Sequence, residues 1–187
     1  MIWFHKKEGE QYMKIVVLES SPNQAGASNT LAGYFIKGAK EAGHTVRVLD
    51  VARMDIQPCS GCYRGKHTGH CVVPDDMSVV EQEIYGSDMV AYVTPIYFYD
   101  MSAQLKIVMD RMHCCYSNLR GKRNLLLATA HRNDDEVMYY LDNLYRGLAR
   151  FLQYQDFGTI MAKGCGTPEL VQDSCYAKQA YELGKLL

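Results

Sequence analysis

Apolar residues in this chain fall in short unbroken runs, separated by stretches in which they recur every three or four positions. Residues 14–18 (Lys-Ile-Val-Val-Leu) form a β-branched run without alternation, the pattern of a strand buried on both faces. Residues 88–94 and 124–129 repeat that pattern, and 157–162 predict a further strand. Residues 45–49 alternate instead, which suits an edge strand with one wetter face. Between the strands, Leu31, Phe35, Gly38 and Ala42 hold a helical stripe that Gly43 ends. Asp75 or Asp76 caps a short helix running to about Tyr85. Ser102 caps another, whose Leu105, Val108, Met109 and Met112 share a face. Asp134, Asp135 and Glu136 favour a helix start, followed by an apolar face of Val137, Tyr140, Leu141, Leu144 and Leu148. Ala177, Ala180, Tyr181 and Gly184 mark a last helix after Ser174. Five strands alternating with five helices predict an α/β three-layer sandwich, a parallel sheet wrapped on both sides by right-handed crossovers. The edge-like second strand fits the flavodoxin-like order 2-1-3-4-5.

In such a sheet a ligand lies at the carboxyl ends of the strands where their order reverses, here the loops after the first and third strands. The first loop, residues 20–30, is crowded with hydroxyls, has no charged side chain and runs straight into a helix. Free N–H groups and a positive dipole at that helix end make an anion site, which hydroxyls of Ser21, Ser28 and Thr30 complete. A turn and a helix cap account for the same residues; the position after the first buried strand favours the ligand. The Gly-Lys-Ser/Thr ending of a P-loop and a Gly-x-Gly-x-x-Gly pattern are both missing, which argues against nucleotide hydrolysis and a dinucleotide fold. After the third strand, Tyr97, Phe98 and Tyr99 follow Pro95 and Ile96, aromatics suited to a flat ring or to the core. The fourth loop, residues 129–133, adds polar groups at the same edge; His131 alone is weak and most simply exposed.

Composition narrows the classes. A chain of 187 residues with 48% apolar and 22% charged residues is an ordinary globular length and balance, so residues 13–187 read as one domain and 1–12 as an extension. The net charge of -1 gives no bulk reason to bind nucleic acid or an anionic membrane. The longest nearly apolar stretch, residues 89–99, is far short of the roughly 20 residues of a membrane span. The first residues do not read as a signal peptide, so the seven cysteines are expected as thiols in a cytoplasmic protein. Asp110 and Arg111 read as a structural ion pair or a helix-end charge, and Cys114 and Cys115 as buried thiols.

Taken together, Ser20-Ser21-Pro22 with Ser28-Asn29-Thr30, Pro58-Cys59-Ser60-Gly61-Cys62, residues 71–77, Thr94-Pro95-Ile96-Tyr97-Phe98, residues 101–106 and Asp110-Arg111 resemble the NAD(P)H-dependent FMN reductase family, including its iron–sulfur flavoprotein branch. The resemblance covers nearly all of residues 13–187. It implies FMN with its phosphate on Ser21, Asn23, Ser28, Asn29 and Thr30. Pro95, Ile96, Tyr97, Phe98 and Tyr99 would line the flavin, with Thr129 and Ala130 opposite. It further implies ping-pong exchange, with NAD(P)H reducing the flavin and a quinone, nitro compound, free flavin or carrier protein taking the electrons. The protein itself then needs no catalytic acid or base. A homodimer or higher homo-oligomer is implied too, and 14 Tyr and 5 Phe suit an interface. One difference is that the family's Gly-Ser-Pro-Arg reads Ser20-Ser21-Pro22-Asn23 here, and Glu19 adds a negative charge nearby.

Two other readings use the same residues: an FMN-binding electron carrier without nicotinamide turnover, and a metal module on Cys59, Cys62, His67, His70 and Cys71. In the iron–sulfur branch four closely spaced cysteines hold a [4Fe–4S] cluster. Here the third position is Gly65, and the other cysteines, at 114, 115, 165 and 175, belong to distant segments. Cluster ligation takes four thiolates in most cases, and the spacing matches no familiar zinc module. The sequence therefore predicts a flavoprotein with no iron–sulfur cluster and no bound metal.

Overall fold

The computed structural model describes residues 12–187; apart from Tyr12, the expected extension lies outside the described residues. Strand β1 (Lys14–Glu19) is buried through residues 15–18, as its unalternating run requires. Its side chains alternate across the pleat. Ile15 and Val17 join one core with Leu31 and Phe35 of helix α1 (Ala27–Glu41) and Ala180 of helix α6 (Cys175–Lys185). Val16 and Leu18 join the other with Val80 of α2 (Met77–Tyr85), Leu105 of α3 (Ala103–Arg111) and Leu141 of α4 (Glu136–Phe151).

Parallel strands β2 (Thr45–Asp50), β1, β3 (Met89–Tyr97), β5 (Arg123–Thr129) and β6 (Gln155–Ala162) lie side by side in that order. This is the expected order once the two-residue β4 (Asp100–Met101), antiparallel to β3, is set aside. A two-residue strand is too short to show alternation, so the sequence did not reveal it. The alternating β2 takes the edge as expected, and Gly43 ends α1 at φ +95°. A five-residue helix α5 (Pro168–Gln172), opened by the Thr167 hydroxyl, is a further addition.

The long segment between β2 and α2 is held by a buried ion pair. Arg111 and Asp75 keep only 1% and 3% of their side chains exposed. Arg111 Nη1 and Nη2 grip the two Asp75 oxygens at 2.6 and 3.0 Å, Nη1 also reaches the Gln57 carbonyl at 2.7 Å, and Nε reaches Cys71 Sγ at 3.1 Å. Asp75 accepts from the backbone N–H of Gln57 and of Met77, so it serves the first turn of α2, while Asp76 accepts from Asp55 N–H instead. Of the two expectations for Asp110 and Arg111, a pair with each other is corrected, while Arg111 does stand in the last turn of α3 as a helix-end charge. Consecutive helical residues do not face each other; Asp110 bonds Lys106, one turn back, at 2.6 Å. Burial pushes the Asp75 carboxyl up, but the bonds from Arg111, Gln57 and Met77 outweigh it and hold the group below its ordinary range.

Arg111→Met leaves Asp75 buried without its cation, and should cost about 3–5 kcal/mol in urea unfolding; a loss below about 1 kcal/mol would mean the pair anchors nothing. A carboxylate whose folded pKa is depressed gives stability that is complete above its unfolded value, about 3.9, and is lost as pH falls through the folded one. The gap between native protein and Asp75→Asn should accordingly hold at neutral pH and narrow only below about pH 4.

Candidate functional site

The strand order reverses between β1 and β3, and a knot of hydroxyls closes the seam. Ser20 Oγ donates to the Val93 carbonyl at 2.7 Å. Ser102 Oγ lies 2.8 Å from Ser20 Oγ and 3.1 Å from the Ser20 carbonyl, and it accepts from Leu105 N–H as the cap of α3. Ser102 N–H donates to Thr94 Oγ1 at 2.9 Å. Ser20, Thr94 and Ser102 are fully buried. Three loops are thereby fixed along one sheet edge, because Glu19 pairs with Val93 and Pro95 with Thr129 in register.

In the first loop Ser21 Oγ accepts from Asn23 N–H, and the Asn23 carbonyl accepts from Gly26 N–H, closing a tight turn before α1. A Cβ at Gly26 would stand 2.8 Å from both Asn23 O and Ser21 Oγ, so the turn admits only glycine there without moving. No side chain caps α1, and its first turn carries no acidic residue. The first N–H groups therefore keep their donors. Ser28 is 1% exposed, and its hydroxyl and Asn29 Oδ1 are buried without a hydrogen-bond partner. Buried polar atoms are rarely left so, and here they border an electropositive helix end. Asn29 Nδ2 is held by the Gln24 carbonyl. Thr30 stands apart from its expected role: its hydroxyl bonds the Gly26 carbonyl one turn back.

The sequence did not show how charge reaches this loop. Arg53, in the turn after β2, donates to the Pro22 carbonyl at 3.1 Å and pairs with Asp50. Burial first, and the Asp50 charge second, push the Glu19 carboxyl above its ordinary range.

Residues 95–97, expected in a loop, extend β3, and Phe98 and Tyr99 form a two-residue hairpin turn into β4. Both have positive φ, +48° and +69°, the backbone of a type I′ turn that normally takes Asn and Gly. Tyr99 is held in place: its ring meets Tyr140 edge-on at 5.5 Å, packs by Ala130, Val137 and Met138, and its hydroxyl accepts from Arg132 at 2.7 Å. Phe98 is 101% exposed and Tyr97 half exposed, so this part of the expected ring-binding set stands out beyond the sheet edge. Thr129 and Ala130 lie buried beside Pro95 at the end of β5. His131 is exposed, as expected, and abuts Gly166.

The cysteine segment lies on the α2–α3 side. Cys59, Cys62, Cys71, Cys114 and Arg111 line one cavity. The sequence placed Cys114 in a distant segment; the structure corrects this, because a Cβ on Gly65 would stand 2.6 Å from Cys114 Sγ. A kink at Cys115, inside the 3-10 turn that follows α3, aims the two neighbouring thiols differently. Cys115 is buried and bonds the Glu81 carboxylate at 3.2 Å, whereas Cys114 is half-buried. The backbone N–H of Arg64, ahead of side-chain bonds from Arg64 and Ser60, lowers the Cys62 thiol; burial raises that of Cys114.

The family described as NADPH-dependent FMN reductase matches residues 13–157. An iron–sulfur flavoprotein of Methanocaldococcus jannaschii is 30% identical over 99 residues, 53% of this chain and 51% of that one. One from Clostridioides difficile is 24% identical over 124 residues, 65% and 55% of the two chains. The chain spans about half the length of the first curated relatives it matches. Among solved structures, an NAD(P)H:quinone oxidoreductase from Methanothermobacter marburgensis superposes with TM-score 0.72 at 20% identity, over 94% of this chain and 96% of that one. An FMN-dependent NADH-azoreductase from Bacillus anthracis, in complex with FMN, gives 0.70 at 16% identity, over 92% and 98%. These two likenesses establish a shared fold. Among the described residues no helix is long and apolar enough to cross a membrane.

Phe98 holds a backbone conformation disfavoured for a bulky residue while its ring is fully exposed. Phe98→Asn should therefore raise the unfolding free energy by about 1 kcal/mol. A loss of stability in chemical denaturation would show that the ring is packed after all.

Proposed function

Because the chain belongs to the NADPH-dependent FMN reductase family, we propose that it acts as an FMN-dependent oxidoreductase. NAD(P)H is the donor, and a quinone, nitro compound, free flavin or carrier protein the acceptor. The observation that supports this most is the pair of buried, unpartnered atoms, Ser28 Oγ and Asn29 Oδ1, at an uncapped helix end that bears no negative charge. The residues fit the group: a phosphate needs donors and a positive field, and both stand at α1.

FMN, when bound, supplies the redox chemistry between nicotinamide and acceptor. The chain's own residues bind and orient. Ser28 Oγ and the first N–H groups of α1 donate to the phosphate, with Ser21 and Asn23 shaping the turn around it. Asn29 Oδ1 accepts from a hydroxyl of the ligand, and Arg53 adds positive charge at the Pro22 side. Thr30 contributes less than the other residues, since its hydroxyl is spent on Gly26. Pro95, Ile96 and Tyr97 border the ring on one side and Thr129 and Ala130 on the other. Phe98, free of the chain's own core, covers the ring or meets a neighbouring subunit. In this reading residues 13–187 form one domain that works in the cytoplasm as a homodimer or higher homo-oligomer and has no nucleic-acid or membrane partner.

The test is an anaerobic titration of the FMN-loaded protein. Bleaching of the flavin absorbance by NADPH or NADH is expected; bleaching by dithionite alone would mean an electron carrier and overturn the proposal. Ser28→Val removes one bond to a charged group, worth roughly 1.5–3 kcal/mol, so FMN binding should weaken at least about tenfold. Thr30→Val should weaken it far less; equal effects would contradict the assignment.

A further inference from the structure

Helix α2 buries Met77, Val80, Glu81 and Ile84 on one stripe, and Glu81 is the charged residue among them. It is 3% exposed. A carboxylate is buried so deeply only where a cation, a metal ion or directed donors answer it. Among the described residues no cationic side chain pairs with Glu81, and Arg111 is committed to Asp75. Glu81 meets the Cys71 N–H at 2.9 Å and the Cys115 thiol at 3.2 Å instead. Cys114 completes the group: a Glu81 carboxylate oxygen and the two sulfurs all lie within 4.8 Å of one another. Consecutive side chains diverge in a regular helix; the non-helical backbone at Cys115 relaxes that constraint.

We propose that Glu81, Cys114 and Cys115 form a mononuclear zinc site, with two thiolates and one carboxylate oxygen on the ion and water in the fourth position. Zn–S bonds of about 2.3 Å and Zn–O bonds of about 2.0–2.2 Å in a tetrahedron set the ligand atoms about 3.6–3.8 Å apart. The Cys115–Glu81 pair has to open slightly, and the widest pair has to close by about 1 Å at most. Two sulfurs select against magnesium and calcium, which take oxygen ligands. On binding, each S–H bond gives its proton to solvent, the freed thiolates and the carboxylate bond the ion, and no electron moves. The Cys71 N–H, already on Glu81, orients the carboxylate from outside the ligand set. The way in is a cavity of about 50 Å³ that Cys114 lines together with the exposed thiols Cys59 and Cys62. These two loop thiols are not part of the site. The bound ion ties α2 to the turn after α3. This inference departs from the metal-free expectation, which weighed the loop cysteines and took Cys114 and Cys115 as buried thiols. It stands apart from the flavin reading.

The experiment uses the full chain beside its Cys59→Ala/Cys62→Ala form, so that the loop thiols cannot answer for the site. Both are purified anaerobically, stripped with a chelator, reduced without added thiol and titrated with Zn2+ and, as a coloured probe, Co2+. Bound metal is counted by native mass spectrometry. About one zinc per chain is expected in the Cys59→Ala/Cys62→Ala form, with a thiolate-to-cobalt charge-transfer band for the probe. In that background Cys115→Ala and Glu81→Gln should each weaken zinc binding by at least about tenfold, while Cys175→Ala, an exposed thiol in α6, changes nothing. Far-UV circular dichroism separates lost binding from lost folding. Where Cys115→Ala does not fold, Cys114→Ala, at a half-buried position, carries the same expectation. Zinc that disappears with Cys59 and Cys62, or an undiminished affinity in folded Glu81→Gln or folded Cys114→Ala, overturns the proposal.

Discussion

The site depends on how β1 and β3 are joined where the sheet changes direction. Parallel strands that diverge in connection leave a crevice at their carboxyl ends. Here that crevice is set by Ser20, Thr94 and Ser102: the Ser20 and Ser102 hydroxyls bond each other, Ser20 also holds the Val93 carbonyl, and the Thr94 hydroxyl accepts from Ser102 N–H. Ser102 serves twice, as a strand-to-strand tie and as the cap of α3. Buried hydroxyls are tolerated only when satisfied, and their directed bonds fix the loops more tightly than apolar contact would. The loop after β1, the β3–β4 hairpin and the end of β5 inherit their positions from this knot.

What the knot positions is left incomplete by the chain itself. The apolar core is closed on both faces of the sheet, and the Arg111–Asp75 pair is satisfied at every donor and acceptor the geometry shows. At the sheet edge the rule is broken in two ways. Ser28 and Asn29 bury unpartnered atoms, and Phe98 holds a strained backbone with an exposed ring. Both irregularities follow β1 and β3, at the edge where the strand order reverses, and that coincidence marks the edge as the candidate site.

The layers and strand order were legible because burial writes itself into periodicity. Unbroken runs became central strands, the alternating run became the edge, and Gly43 and Ser102 stood where caps were needed. The uncharged loop before α1 was legible for the same reason, as a local pattern at a fixed topological place. Contacts between distant segments were not legible. Nothing in the order of residues joins Asp75 to Arg111, Arg53 to Pro22 or Cys114 to Gly65, because a pair separated by 30 to 50 positions leaves no periodic trace. Local logic misled where it paired Asp110 with its neighbour, and it gave no sign that Cys114 packs against Gly65. The hairpin escaped notice because its turn uses Phe and Tyr where Asn and Gly are usual.

The central claim is that the uncapped end of α1 holds a phosphate, and the affinities of FMN and riboflavin for the native protein test it most directly, since the two ligands differ only in that group. Calorimetric titration should find FMN bound at least about tenfold more tightly, consistent with one or more charge-assisted bonds, and the gap should shrink as salt is raised. Equal affinities at low salt would contradict the account.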